Sequence, residues 1–128
     1  MRLFSVHGPR ERPEKLFMKL MNHKRSFTYI DDIIAGLVAV VDHRKECIGE
    51  VFDIRSDTDT TTGQGIAIVE KLLNRKVRIK TLPPRHGDQH YTYAQIGKAK
   101  FILGYTPRTC LENALSKQVT WYKKSLKK

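Results

Sequence analysis

The feature that most constrains this chain is the alternation of short strand-like and helical segments along its 128 residues. Strand-like runs of apolar, aromatic and β-branched residues are found at residues 3–6, 26–30, 51–54 and 77–81. Helical spacing of apolar residues is found at residues 14–23, 33–43, 66–73 and 96–103, and in a last segment that opens at residue 109. This order of elements is typical of an α/β fold, and the length allows a single domain over residues 1–128.

Capping and turn-forming residues indicate where the helices begin. Asp31 and Asp32 precede the segment 33–43, and we interpret them as helix capping rather than catalysis. Residues 56–62 form a polar run that predicts a turn, and Gly63-Gln64-Gly65 after it predicts a helix entrance. The helix at 33–43 is predicted to bury one broad apolar face. That face consists of Ile33, Ile34, Leu37, Val38 and Val41.

The charge and cysteine content narrow the class of partner. A formal net charge of +11 points to an anionic partner or to a solvated basic surface, and apart from the lysines at 123–128 the cations are dispersed. Cys47 and Cys110 form no CxxC pair, which argues against a zinc ribbon or a thioredoxin-type site. No apolar run approaches the roughly 20 residues of a membrane span. We therefore expect reduced thiols, a cytoplasmic location and no membrane partner.

Four motifs occur along the chain in a fixed order. They are Gly-Pro-Arg-Glu-Arg-Pro at residues 8–13, Arg-Ser-Phe-Thr-Tyr-Ile-Asp-Asp at 25–32, Pro-Pro-Arg-His-Gly-Asp at 83–88 and Leu-Gly-Tyr-Thr-Pro at 103–107. The set resembles the NAD-dependent epimerase/dehydratase family of extended short-chain dehydrogenases, and the first motif is most similar to UDP-glucuronate 4-epimerases. The resemblance covers nearly the whole chain but only roughly the C-terminal 40% of the family's usual length. It implies a partial Rossmann-like, substrate-binding subdomain with an incomplete parallel sheet.

The resemblance implies roles in holding the nucleotide. Arg25 and Arg85 match the arginines that hold the diphosphate, a role that suits guanidinium groups because they form bidentate hydrogen bonds to phosphate. Asp88 matches the position that binds the ribose hydroxyls, although a turn role for this residue stays open. Phe27 lies two residues from Arg25 and is expected to point to the same face. Without the motif, Arg25 is an ordinary surface cation.

Two further residues match positions near the hexose. Ser5 and Arg12 correspond to residues that bind the sugar carboxylate in the glucuronate enzymes. Without the rest of the site, Ser5 is an ordinary strand residue. His86 and His90 are four residues apart, but no third ligand is evident, so we expect no metal site. The chain also departs from the family, since His7 stands where a tyrosine is usual before Gly-Pro.

The cofactor-binding turn and the catalytic tyrosine motif of the family are not found in this sequence. By resemblance, the reaction passes through a keto intermediate while NAD takes and returns a hydride. No Gly-rich phosphate turn follows the first strand, and no tyrosine is followed by lysine at the fourth position, as in the family's Tyr-x-x-x-Lys. We therefore expect NAD as the family's cofactor but without its main binding segment here, no catalytic residue, and no independent turnover.

The sequence is compatible with three functions. The first is the UDP-glucuronate-like nucleotide-sugar-binding portion of a 4-epimerase, as a truncated or split form. The second is a non-catalytic basic module that binds a polyanion, although the absence of aromatic residues interleaved with the basic ones makes nucleic acid an unfavoured partner. The third is a decayed paralogue that docks on a full-length epimerase. The partners expected are a nucleotide sugar and either a missing N-terminal half or a full-length epimerase.

Overall fold

The structure is a computed structural model that describes residues 1–3, 6–10, 24–79 and 95–125, with Lys24 and Arg25 described by their backbone. Its strands are β1 (Arg2–Leu3), β2 (Val6–His7), β3 (Lys24–Arg25), β4 (Thr28–Tyr29), β5 (Asp53–Ile54) and β6 (Thr60–Thr61). Its helices are α1 (Ile30–Asp42), α2 (Thr62–Leu73), α3 (Gly97–Leu103) and α4 (Leu111–Ser125). The α/β class predicted from the sequence is confirmed.

The strands of the described residues pair in three separate ribbons. β1 pairs with β5 and β2 with β4, both in parallel, whereas β3 and β6 are antiparallel. Parallel neighbours need a crossover connection, and α1 lies in the chain between β1 and β5. The small parallel ribbons agree with the incomplete sheet that the sequence predicts.

The core forms where α1 and α3 cover β5. Gly36 of α1 lies so close to this strand that a Cβ atom on it would be 2.9 Å from Ile54 Cγ2 and 3.3 Å from the Tyr105 ring. The Tyr105 hydroxyl donates a hydrogen bond to the Arg55 carbonyl oxygen over 3.1 Å, which fixes the chain after α3 to the end of β5. The buried members of this cluster are Ile33, Phe52, Ile54, Ala99, Leu103 and Tyr105.

Helix α1 corrects two sequence predictions. It begins at Ile30 rather than at 33, and its N-cap residue Tyr29 makes no side-chain capping bond. Asp32 therefore lies inside the first turn of α1, and its carboxylate accepts the amides of Arg108 and Thr109, each over 3.1 Å, just before α4. Of the five residues predicted for the buried face, Ile33 alone is buried, because the close approach at Gly36 sets the side of the helix that contacts β5.

Other elements were predicted with mixed success. The helix entrance at Gly63-Gln64-Gly65 is confirmed, and Thr61 and Gln64 form a capping box there. The predicted turn at 56–62 instead contains β6, which pairs with β3, and no strand is found at 77–79. Helix α3 ends at Gly104, as predicted, with a φ of 62° at that glycine. The helix predicted at 14–23 lies outside the described residues. No described helix is both long and apolar enough to span a membrane.

Candidate functional site

The six residues proposed for substrate binding are described to different extents. Phe27 is described in full, and Arg25 is placed in β3 by its backbone. The other four lie outside the described residues; they are Ser5, Arg12, Arg85 and Asp88. The structure therefore places the strand segment of the second motif, whereas the convergence of the two arginines on one diphosphate stays a prediction.

Phe27 is held outward by its two buried neighbours. The Ser26 hydroxyl donates to the Ser56 carbonyl oxygen over 3.0 Å, and the Ser56 amide donates to Thr28 Oγ1 over 2.9 Å. These buried bonds tie both flanking residues to the chain after β5, so Phe27 between them stays half-buried at the surface.

The buried His7 ring packs against Phe27. The imidazole is buried and lies edge-on to two rings, with centroids 6.2 Å from Phe27 and 5.9 Å from Tyr29. Burial lowers the pKa of His7, while the Gln118 side chain of α4 and the Asp32 carboxylate act in the opposite direction with smaller effect. His7 is therefore neutral at pH 7. In the sequence, the signal for this residue is its position before Gly-Pro, where the family has a tyrosine.

Strand pairing brings the first motif beside the second. Val6 pairs with Thr28 and His7 with Tyr29, so the chain that leads into the Gly-Pro motif runs parallel to β4. The turn after β2 passes close to α1, because a Cβ atom on Gly8 would lie 2.8 Å from Ile30 Cγ2. A glycine is needed at this position for that close approach.

The charged groups around this region have structural partners. Lys117 Nζ of α4 lies 4.8 Å from the centre of the Tyr29 ring and 3.7 Å from Asp31 Oδ2. Asp32 accepts two backbone amides, which lie before α4 rather than in the first turn of α1, so it does not cap its own helix as predicted. At the end of β5, the buried Arg55 guanidinium pairs with Asp59 over 2.8 Å. These groups hold the elements together.

Tyr105 does not have the properties of a catalytic base. It is buried, its hydroxyl is a hydrogen-bond donor, and burial together with nearby carboxylates raises its pKa above the usual value. A tyrosine that removes a proton at neutral pH needs a lowered pKa. Within the ranges that the structure describes, no three His, Cys, Asp or Glu residues are grouped as metal ligands, and His86 and His90 fall outside those ranges.

Known proteins similar to this chain cover almost all of it. No protein-family profile matches. UDP-glucuronate 4-epimerase 5 of Arabidopsis thaliana is 30% identical over 95% of the chain, which spans 35% of that enzyme. An uncharacterized UDP-glucose epimerase of Bacillus subtilis, YtcB, is 29% identical over 94% of the chain, which spans 43% of it. The chain thus spans less than half the length of these curated relatives.

Solved structures give the same result for the backbone. UDP-glucuronic acid 4-epimerase from Bacillus cereus, in complex with UDP-glucuronic acid and NAD, matches 97% of the chain with a TM-score of 0.88 and 30% identity. The match covers 44% of the Bacillus cereus chain. UDP-glucose 4-epimerase of Thermotoga maritima, at 24% identity and a TM-score of 0.83, shares the fold. The likeness to this family that the four motifs indicated is confirmed.

Proposed function

We propose that this chain, a homologue of the C-terminal part of the NAD-dependent epimerases and dehydratases, binds a UDP-glucuronate-like nucleotide sugar. In this proposal it supplies the substrate-binding portion of a sugar 4-epimerase. The observation that carries the proposal is the match to the Bacillus cereus enzyme over 97% of the chain at a TM-score of 0.88. That enzyme was solved with both UDP-glucuronic acid and NAD bound.

The diphosphate is the centre of the proposed site. Arg25 and Arg85 would hold its oxygens through charge-assisted hydrogen bonds. Phe27 supports the role of Arg25, because its outward, half-buried ring beside β3 forms an apolar wall on the expected side of the arginine. Asp88 would accept hydrogen bonds from the ribose hydroxyls.

The sugar end completes the proposed site. Ser5 directly precedes β2 and Arg12 follows it in the Gly-Pro motif, and β2 pairs with β4 next to Phe27. The two residues are therefore joined by short chain segments to the same pair of strands. Arg12 would pair with the carboxylate that distinguishes a glucuronate from a glucose, and Ser5 would hydrogen-bond to the same end of the sugar.

NAD belongs to the proposal as the cofactor of the complementary part. When bound, NAD would supply the hydride acceptor and donor that 4-epimerisation requires. This sequence contributes neither a Gly-rich phosphate turn nor a Tyr-x-x-x-Lys pair, so the chain's own share is to bind and orient the sugar. Turnover would require a partner that carries those groups.

Calorimetry with UDP-glucuronic acid tests the proposal. We expect saturable heat with the unaltered chain and an affinity reduced about ten- to hundredfold by Arg85→Ala, the loss of about 1.5–3 kcal/mol expected for a hydrogen bond to a charged group. Arg44→Ala is the matched control, since Arg44 is an exposed arginine outside the proposed site. Absence of heat at millimolar ligand, or equal heats for the two variants, would refute the proposal.

The polyanion module is distinguished by the same measurement. A binding surface that acts through its net charge of +11 would lose affinity steeply with salt and would not separate Arg85→Ala from Arg44→Ala. A specific diphosphate site would separate them at every salt concentration. The decayed paralogue would instead dock on a full-length epimerase as a regulatory or structural partner, which co-purification of the two proteins would reveal.

A further inference from the structure

One face of α1 is apolar yet exposed. Ile34, Leu37, Val38 and Val41 expose 49%, 41%, 51% and 64% of their surface. Their spacing of i, i+3, i+4 and i+7 places them along one side of a single helix, as a stripe about 10 Å long. We call these four residues the α1 stripe.

The opposite face of the same helix is already packed. Ile33 is buried, and Gly36 contacts Ile54 and Tyr105 in the core. No charged residue occurs between Asp32 and Asp42, so the helix is apolar around its whole circumference over these turns. A helix of this kind is typical of the interior of a larger protein, where it is covered on both sides.

The surroundings of α1 indicate what covers it. In α/β proteins, crossover helices lie side by side on the face of a parallel sheet, and α1 is the helix between the parallel neighbours β1 and β5. The i, i+3, i+4, i+7 stripe is the pattern that a second helix packs against. More than half of the Bacillus cereus epimerase has no counterpart in this chain, although the shared part superposes with a TM-score of 0.88.

We propose that the α1 stripe is the docking surface for an apolar helix of the complementary, cofactor-binding part of a nucleotide-sugar epimerase. The inference rests on the proposed function, since it assigns the partner of the same site. The four half-exposed side chains alone fall short of the roughly 800 Å² per partner that a stable dimer buries, so a homodimer through the stripe would need a larger contact than the stripe provides. The complementary part would also cover Leu3, which is half exposed on β1.

Val38→Glu tests the docking surface directly. The probe is the part of the Bacillus cereus enzyme that this chain does not match, co-expressed with the full 128-residue chain and measured by sedimentation of the purified mixture. Val38 is half exposed, so the variant alone should keep the thermal midpoint of the unaltered chain. Tyr122→Glu is the matched control, because Tyr122 of α4 is similarly exposed at 45% and lies outside the stripe. Val41→Glu repeats the test if Val38→Glu lowers the midpoint.

The expected result is a 1:1 complex with the unaltered chain and with Tyr122→Glu. Val38→Glu should weaken it at least about tenfold, because a charge would enter an apolar contact. The proposal is overturned if no complex forms, if Val38→Glu binds as well as the control, or if the stripe instead holds two copies of this chain together. Calorimetry keeps the two ideas separate: a complex that binds no UDP-glucuronic acid would refute the proposed function but leave the docking surface standing.

Discussion

His7 is a titratable side chain buried against aromatic rings. It connects Phe27 of the proposed ligand site to the interior of the protein. Its ring lies edge-on to Phe27 and to Tyr29, and the Gln118 side chain of α4 and the charge of Asp32 in α1 raise its pKa less than burial lowers it. A neutral ring satisfies this packing, whereas an imidazolium would be buried among aromatic faces and edges. Protonation of His7 would therefore destabilise the packing around β4, α1 and α4.

The first prediction concerns the pH dependence of folding. The pKa of His7 is lowered from 6.5 in the folded chain, so below pH 6.5 the unfolded state binds a proton that the folded state does not. Stability is complete above that pH and falls as the pH decreases, by at most about 1.4 kcal/mol per pH unit for one proton. Denaturant titrations between pH 7.5 and 5.5 should show a smaller loss for His7→Phe than for the unaltered chain. An equal loss in both, or a loss removed by His43→Gln instead, would contradict this prediction.

Asp32 illustrates a residue whose chemistry was predicted but whose partner was not. Its place before a helical segment predicts a capping group, and its carboxylate does bind backbone amides. Those amides belong to Arg108 and Thr109, 76 and 77 residues away, rather than to the first turn of α1. Partners at such separations are set by the tertiary packing that brings the start of α1 to the loop before α4, which no local pattern encodes.

The second prediction follows from these two bonds. Asp32→Asn replaces one acceptor with an NH₂ group that faces an N–H donor, so we expect the free energy of unfolding to fall by about 1–3 kcal/mol. Asp31→Asn is the control, because Asp31 is exposed and its ion pair with Lys117 contributes at most about 1 kcal/mol. Urea denaturation of the two variants measures the difference. Equal stabilities would mean that the Asp32 bonds do not hold the start of α4.

At the level of elements, the close packing of α1 on β5 fixes which side of the helix is buried. A Cβ atom at Gly36 would be 2.9 Å from Ile54 Cγ2 and 3.2 Å from its Cδ1. Without that approach, the face that carries the larger side chains Leu37, Val38 and Val41 would be expected to face the core. The apolar pattern alone could not choose a face, because the helix is apolar on all sides.

The third prediction is that Gly36→Ala destabilises the chain although alanine favours helices. Overpacking costs about 1–3 kcal/mol, which about 1 kcal/mol of helix propensity only partly offsets. Gly97→Ala provides the control in α3, where a Cβ atom would meet nothing within 4 Å and should be neutral or stabilising. Thermal unfolding of both variants tests this, and a raised midpoint for Gly36→Ala would show that the contact with β5 is looser than described.

Elements with strong local signals were predicted well. Gly104 ends α3 in a left-handed conformation, and the polar residues before α2 cap it, both of which depend on neighbours in sequence. Strand β6 was missed because Thr60–Thr61 is short and polar and is a strand only through its pairing with β3. For the candidate site, the sequence motifs named Phe27, whereas the contribution of His7 beneath it became visible only when β2 and β4 were paired.

At the level of the whole molecule, the chain corresponds to less than half the length of the relatives it matches. Its parallel strands form two-stranded ribbons in the described residues, one helix is apolar on its exposed side, and the relatives are more than twice as long. Isolated ribbons of this size contribute little stability, so helix packing and the core around β5 must supply most of it. In the proposed function, a complementary part would extend the sheet and supply the cofactor-binding segment.

The fourth prediction concerns activity. The 128-residue chain, supplied with NAD and UDP-glucuronic acid, should form no 4-epimer, because its sequence provides no cofactor turn and no base of the Tyr-x-x-x-Lys type. Proton NMR of the sugar ring would detect the epimer. Its formation by the chain alone would contradict the assignment of a purely substrate-binding role.

The most direct test of the nucleotide-sugar proposal is a double-mutant cycle on UDP-glucuronic acid affinity, made with Arg25→Ala and Arg85→Ala. If both guanidinium groups hold one diphosphate, each single change weakens binding, and the double variant departs from the sum of the two by about 0.5–3 kcal/mol. Effects that simply add, or single variants that bind as tightly as the unaltered chain, would place the two arginines at separate locations and remove the basis for a shared diphosphate site.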